Sequence, residues 1–216
     1  MPGERGDTIP RVPGLRAGTA ALALLLAASF RPPASGFQLP ASAPFSFANI
    51  AREAGLDMSI VFGARERNTY LVETTGTGVA MFDYDADGWV DLFFVNGTTL
   101  EGFAPGAEPT NRLYRNKGNR TFEDVTVTAG LAASGWGQGV CAGDYDNDGR
   151  SDLLVTYWGQ NRLYHNEGGR FADVTGPAGL RTSRKWSTSC AFLDYDRDGR
   201  LDLFVANYID FDPSRS

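Results

Sequence analysis

The sequence predicts an all-β protein, a β-propeller built from blades of four antiparallel strands. A nine-residue acidic loop is written three times, with short apolar runs on both sides of each copy. Two further strand-like motifs then recur in the same order about fifty residues apart, a period expected of propeller blades.

The loops read Asp83-Tyr84-Asp85-Ala86-Asp87-Gly88-Trp89-Val90-Asp91, Asp144-Tyr145-Asp146-Asn147-Asp148-Gly149-Arg150-Ser151-Asp152 and Asp194-Tyr195-Asp196-Arg197-Asp198-Gly199-Arg200-Leu201-Asp202. Carboxylates at positions 1, 3, 5 and 9 suit a hard cation that takes six to eight oxygens. Gly at position 6 permits the sharp reversal, and position 7 (Trp89, Arg150, Arg200) can offer its backbone carbonyl. Asp and Gly are also ordinary turn residues. Four carboxylates within nine residues nevertheless repel one another unless a cation compensates them. The expectation is three Ca²⁺ ions, one per loop.

An EF-hand would place a bidentate Glu at position 12 between two helices. Position 12 is Phe94, Val155 and Val205, all apolar. The loops run into Asp91-Leu92-Phe93-Phe94-Val95, Asp152-Leu153-Leu154-Val155 and Asp202-Leu203-Phe204-Val205, which read as buried strands. Before them stand Gly78 to Phe82, Gly139 to Gly143 and Ser189 to Leu193, apolar and rich in small residues. Each loop therefore joins strand to strand.

In chain order, residues 1–36 read as an export signal or an uncleaved anchor. Arg5, Arg11 and Arg16 precede an apolar run from Ala17 to Phe30, of h-region length and short for a membrane span. Residues 37–46 are a Pro/Ala/Ser-rich linker. Residues 47–216 are the partial propeller, with repeats at about 78–131, 139–180 and 189–216, the last incomplete. A loose copy of an outer-strand motif stands near Phe47, where a stray first strand is expected.

The third and fourth strands of a unit are Asn111-Arg112-Leu113-Tyr114-Arg115-Asn116, returning at Asn161 to Asn166, and Phe122-Glu123-Asp124-Val125-Thr126, returning at Phe171 to Thr175. Ala129-Gly130-Leu131 and Ala178-Gly179-Leu180 follow the fourth strands. Gly97 to Thr110, rich in Gly, Pro and Glu, reads as an inserted loop. Small residues on the inner strand fit a crowded axis.

The net charge of −6 argues against a nucleic-acid partner, which wants a basic face. Twelve of the 26 acidic residues lie in the loops, and three Ca²⁺ would add +6 and bring the balance to zero. Cys141 and Cys190 stand three and four residues before their loops. Strand alternation sends them to opposite faces, which favours buried thiols over a bridge. His165 reads as a surface strand residue. Trp136 and Trp186 read as packing between blades, or as an aromatic patch where Arg184 and Lys185 could meet an anionic or sugar ligand. No triad, zinc spacing or phosphate loop appears, so no catalytic residue is assigned and a non-enzyme is expected.

The strand–DxDxDG–strand pattern resembles the FG-GAP/VCBS repeats of integrin α-subunit propellers and of many exported bacterial proteins. The fuller wording resembles the ASPIC/UnbV family, which includes cartilage acidic protein-like proteins. It comprises Gly-Val before Asp-Tyr-Asp-x-Asp-Gly, Asn-x-Leu-Tyr-x-Asn and Phe-x-Asp-Val-Thr-x-x-Ala-Gly-Leu. The resemblance implies a seven-bladed propeller with Ca²⁺ in the loops, of which residues 47–216 supply about two and a half blades. It therefore implies an N-terminal fragment of a longer chain, whose remaining blades are partners. The functional expectation is an exported module, periplasmic, cell-surface or extracellular, that binds a protein or carbohydrate ligand. A membrane contact is expected only through an uncleaved leader. The alternative is an accessory or enzymatic protein of natural-product biosynthesis, as the UnbV resemblance implies.

Overall fold

The computed structural model describes residues 47–181, 185–212 and 214. The expected leader (1–36), the linker (37–46) and Arg184 lie outside the described residues.

Two four-stranded antiparallel meanders form the body. The first runs β1 (Val79–Phe82), β2 (Asp91–Phe94), β3 (Arg112–Asn116) and β4 (Phe122–Asp124) in that spatial order. The second runs β5 (Trp136–Gly143), β6 (Asp152–Gly159), β7 (Arg162–Asn166) and β8 (Phe171–Asp173). Their registers repeat: Leu92 pairs with Tyr114 in the first and Leu153 with Tyr164 in the second. A third unit contributes β9 (Lys185–Leu193) and β10 (Asp202–Asn207). No α-helix occurs among the described residues, only a short 3₁₀ turn at Leu71–Thr74. The all-β, blade-by-blade reading holds.

The burial pattern shows which sheet lies inside. In β1, Ala80 and Phe82 are buried while Val79 and Met81 are exposed, the period-2 alternation of a sheet covered on one face. In β6 every residue from Asp152 to Tyr157 is buried, as a strand covered on both faces requires. The second blade is thus the filling of a sandwich. Phe82, Phe93, Val95 and Leu113 of the first blade share one apolar core with Leu153, Val155, Tyr157 and Phe171 of the second. The inner strands approach closely: a Cβ at Gly139 would sit 2.6 Å from the Thr188 carbonyl oxygen.

A backbone bond staples one blade to the next. The Phe171 amide donates to the Ala129 carbonyl (2.8 Å), from the turn that ends the preceding unit. Gly130 beside it has φ +79° and no room for a side chain. The Phe122 amide donates likewise to Ala54 (2.7 Å). The loose motif near Phe47 therefore supplies this turn but no strand. Residues 47–50 are irregular, Ala51 to Gly55 turn, and Phe47 is fully exposed. The turn closes through its own bonds, Ala54 to Ile50 and Leu56 to Ala51 (both 2.8 Å), whereas a strand needs a neighbour to pair with.

Two expectations near the inner strands are decided by packing. Cys141 on β5 and Cys190 on β9 are joined in a disulfide, with Cα atoms 5.9 Å apart, which corrects the reading of buried thiols. Neighbouring blades pack the front of one sheet on the back of the next. Side chains of opposite parity on equivalent strands therefore converge. Trp136 and Trp186 are buried, 3% and 1% exposed, against Trp158, Phe62 and Phe211 in a second cluster. Neither ring offers a surface to a ligand. At Trp158, β9 pairs with the end of β6 beyond the reach of β7.

Candidate metal centres

The three acidic loops share one backbone. Position 4 (Ala86, Asn147, Arg197) is left-handed at φ 58°, 60° and 64°, and position 6 (Gly88, Gly149, Gly199) at 87°, 86° and 86°. Two left-handed residues so close together fold the chain inward. The position-1 carboxylates hold that fold. Asp83 accepts the amides of Asp87 (3.1 Å) and Gly88 (2.8 Å). Asp144 and Asp194 make the equivalent pairs at 2.8–3.0 Å. Ala86 and Arg197 are strained in that conformation, whereas Asn147 tolerates it.

The fold gathers three of the four carboxylates in each loop. Asp83, Asp85 and Asp91 bring oxygens within 4.8 Å of one another, as do Asp144, Asp146 and Asp152, and Asp194, Asp196 and Asp202. Position 5 is not a member of these trios, although in the second loop Asp148 groups with Asp146 and His165 at the same spacing. Asp87, Asp148 and Asp198 instead accept the amides of Trp89, Arg150 and Arg200 at 2.9, 2.9 and 2.8 Å. The position-7 residues are thus placed by their N–H groups against the position-5 carboxylate.

Position 9 is the deepest. Asp91 and Asp152 are fully buried. Asp91 accepts the amides of Tyr84 (3.0 Å) and Asn116 (2.7 Å), and Asp152 those of Tyr145 (3.2 Å) and Asn166 (2.8 Å). Burial pushes both carboxyls above the ordinary range, against the pull of these amides. A nearby cation would reverse that shift.

The third strand of each blade also reaches the loop, which sequence reasoning missed. Arg115 on β3 places Nε 2.8 Å from Asp85 Oδ2 and Nη2 2.9 Å from Asp87 Oδ2. The Nε approach is a charge contact without hydrogen-bond alignment. His165 on β7, expected on the surface, is half-buried with Nδ1 3.3 Å from Asp146 Oδ2 and 3.2 Å from Asp152 Oδ1. Arg150 pairs with Asp148 and donates to the Asn166 carbonyl (2.8 Å). The available signal was position: Arg115 and His165 each precede the asparagine whose amide meets Asp91 or Asp152.

The donor set fits a hard divalent cation. Each trio is all-oxygen and lies at a strand junction. In the first loop Asp85 Oδ1 is buried without a hydrogen-bond partner, an oxygen that a metal would satisfy. Residues Asp83, Asp85 and Asp91, with their counterparts, would hold the ion. It would neutralise their mutual repulsion and lock the turn between the first two strands of a blade.

A family model described as FG-GAP-like repeat matches residues 83–155 and 144–205. Each match begins at one acidic loop and ends in the strand after the next. No curated protein matches the chain.

Proposed function

The chain belongs to the FG-GAP-like repeat family, and from that premise we propose an exported, non-enzymatic β-propeller module. It binds a protein or carbohydrate partner while Ca²⁺ braces its strand–loop–strand junctions. The observation that carries the calcium reading is the recurrence of one carboxylate trio at all three junctions. The buried orphan oxygen of Asp85 supports it. The repeat family supports the binding role, and the fold alone does not name the ligand. Export is supported by the apolar run from Ala17 to Phe30. The Cys141–Cys190 bridge also supports it, since disulfides persist in oxidising compartments. The finer likeness to ASPIC/UnbV proteins rests on the recurring Asn-x-Leu-Tyr-x-Asn and Phe-x-Asp-Val-Thr motifs.

Extracellular calcium modules bind in the range of ~10⁻⁴ to 10⁻³ M, which suits a permanently filled brace. At free Ca²⁺ ten times Kd, one such site stabilises the folded state by about 1.4 kcal/mol. Thermal melts in millimolar Ca²⁺ and in EDTA, paired with calorimetric titration, test the reading. The expected result is a midpoint higher by several degrees with Ca²⁺, together with measurable binding heat. Identical midpoints and no heat would reduce the loops to acidic turns.

A further inference from the structure

The three loops are alike in sequence, yet the cations that reach them differ. In the first, the Arg115 guanidinium spans Asp85 and Asp87, touching a member of the carboxylate trio at 2.8 Å. In the second, the equivalent strand position is His165, whose Nδ1 stands 3.2–3.3 Å from Asp152 and Asp146. The nearby guanidinium of Arg150 pairs with Asp148, outside the Asp144–Asp146–Asp152 trio, and with the Asn166 carbonyl. Among the described residues no ion pair reaches Asp194, Asp196 or Asp202. A guanidinium stays charged at any accessible pH and forks across two carboxylates. The imidazole of His165 brings one ring nitrogen to its pair of carboxylates and has no planar fork.

We propose that Arg115 is the residue that sets the cation affinity of the first loop, a resident counter-ion that competes with Ca²⁺. The inference rests on the calcium reading above. Ligation of Asp85 by a metal requires the guanidinium to release that carboxylate or to remain beside a like charge. Either event weakens binding at this loop. In the second loop no guanidinium reaches the trio, and only the single ring nitrogen of His165 stands beside it. The sites are therefore graded: the first keeps its shape when the ion leaves, and the second depends on the ion more.

The reciprocal exchange R115H and H165R tests this, with R115Q as a second route should R115H perturb folding. Trp89, at position 7 of the first loop, makes that site readable by Tb³⁺ luminescence excited through tryptophan, with Trp89→Leu as background. Near-ultraviolet circular dichroism checks each fold. The expected result is that R115H and R115Q half-saturate at roughly tenfold lower Tb³⁺, and in competition at lower Ca²⁺, equivalent to about 1.4 kcal/mol. H165R should leave the Trp89-dependent midpoint unchanged while lowering calorimetric affinity for Ca²⁺. A Trp89-dependent signal gained only in the Arg115 variants also supports the proposal. Equal midpoints in wild type and both Arg115 variants overturn it while leaving calcium binding intact. No binding heat and no luminescence in any protein overturn the calcium reading with it.

Discussion

The second and third acidic loops are the same at Asp, Tyr, Asp, Asp, Gly, Arg and Asp, and their backbones agree in φ at positions 4 and 6. Their position-9 carboxylates nevertheless live in different worlds. Asp152 is fully buried with both oxygens engaged, one by Tyr145 and one by Asn166 of β7. Asp202 is exposed and, among the described residues, accepts only the Tyr195 amide (2.8 Å). The loop therefore makes its own shape, whereas its dry surroundings are supplied by the third strand of the blade. Local sequence encodes the cradle, and a neighbouring strand fixes its dielectric.

The largest expected effect sharpens that contrast. Asp152→Ala leaves two amides without their acceptor, one of them on a strand packed into the core, and should cost about 3–5 kcal/mol. Asp202→Ala removes one solvent-exposed bond and should cost about 1 kcal/mol or less. Urea unfolding of both variants in EDTA compares them with ion binding set aside. Equal losses would mean that the loop alone governs the carboxylate, and the role given to β7 would fall.

The same division explains what could be read in advance. The strand–loop–strand units, the meander and a carboxylate cluster in each loop follow from spacing, because the loop closes on itself through bonds spanning no more than seven residues. That positions 1, 3 and 9 form the trio was not legible, since all four carboxylates look alike in sequence. Position 5 was legible as a carboxylate but not as an amide acceptor, since both roles want the same residue. Arg115 and His165 meet their loops across strand pairings that no local pattern reports. The disulfide was misjudged because strand parity was applied within one sheet, whereas blades stack face to back. The strand expected near Phe47 failed for a related reason: its motif carries the closing turn, while strand formation depends on a partner elsewhere.

A second contrast concerns the staples between blades. Gly130 and Gly179 occupy equivalent turns with φ +79° and +72°. A Cβ on Gly130 would lie 2.7 Å from the Phe171 carbonyl oxygen, but one on Gly179 meets nothing within 4 Å. Gly130→Ala pays both backbone strain and a clash with main chain that is itself hydrogen-bonded to Ala129, about 2–3 kcal/mol. Gly179→Ala bears strain alone, about 1 kcal/mol. Chemical denaturation measures the difference. If the two substitutions cost the same, the Ala129–Phe171 contact contributes nothing beyond the turn.

The smallest effect is set by pH at the seam between the first two blades. Tyr157 accepts a bond from the Asn111 side chain (2.8 Å). Burial, opposed only in part by that bond, pushes its hydroxyl up to about 12. The equivalent position on β10 is Asn207, which takes a bond from Ser187 (2.9 Å) and does not titrate. A phenol with its folded pKa raised contributes stability that is whole below the unfolded value near 10 and disappears as pH climbs through about 12. The unfolded chain gives up its proton first, and that ionisation pulls the equilibrium away from the native state. The share carried by Tyr157 is on the order of 2 kcal/mol. Tyr157→Phe should begin about 1 kcal/mol less stable at pH 8, with the Asn111 amide unpaired. It should then lose less than wild type between pH 10 and 12, so the two urea-derived curves converge. Curves that stay parallel across that window would place the alkaline transition in other tyrosines and leave the Asn111–Tyr157 seam as a packing contact alone.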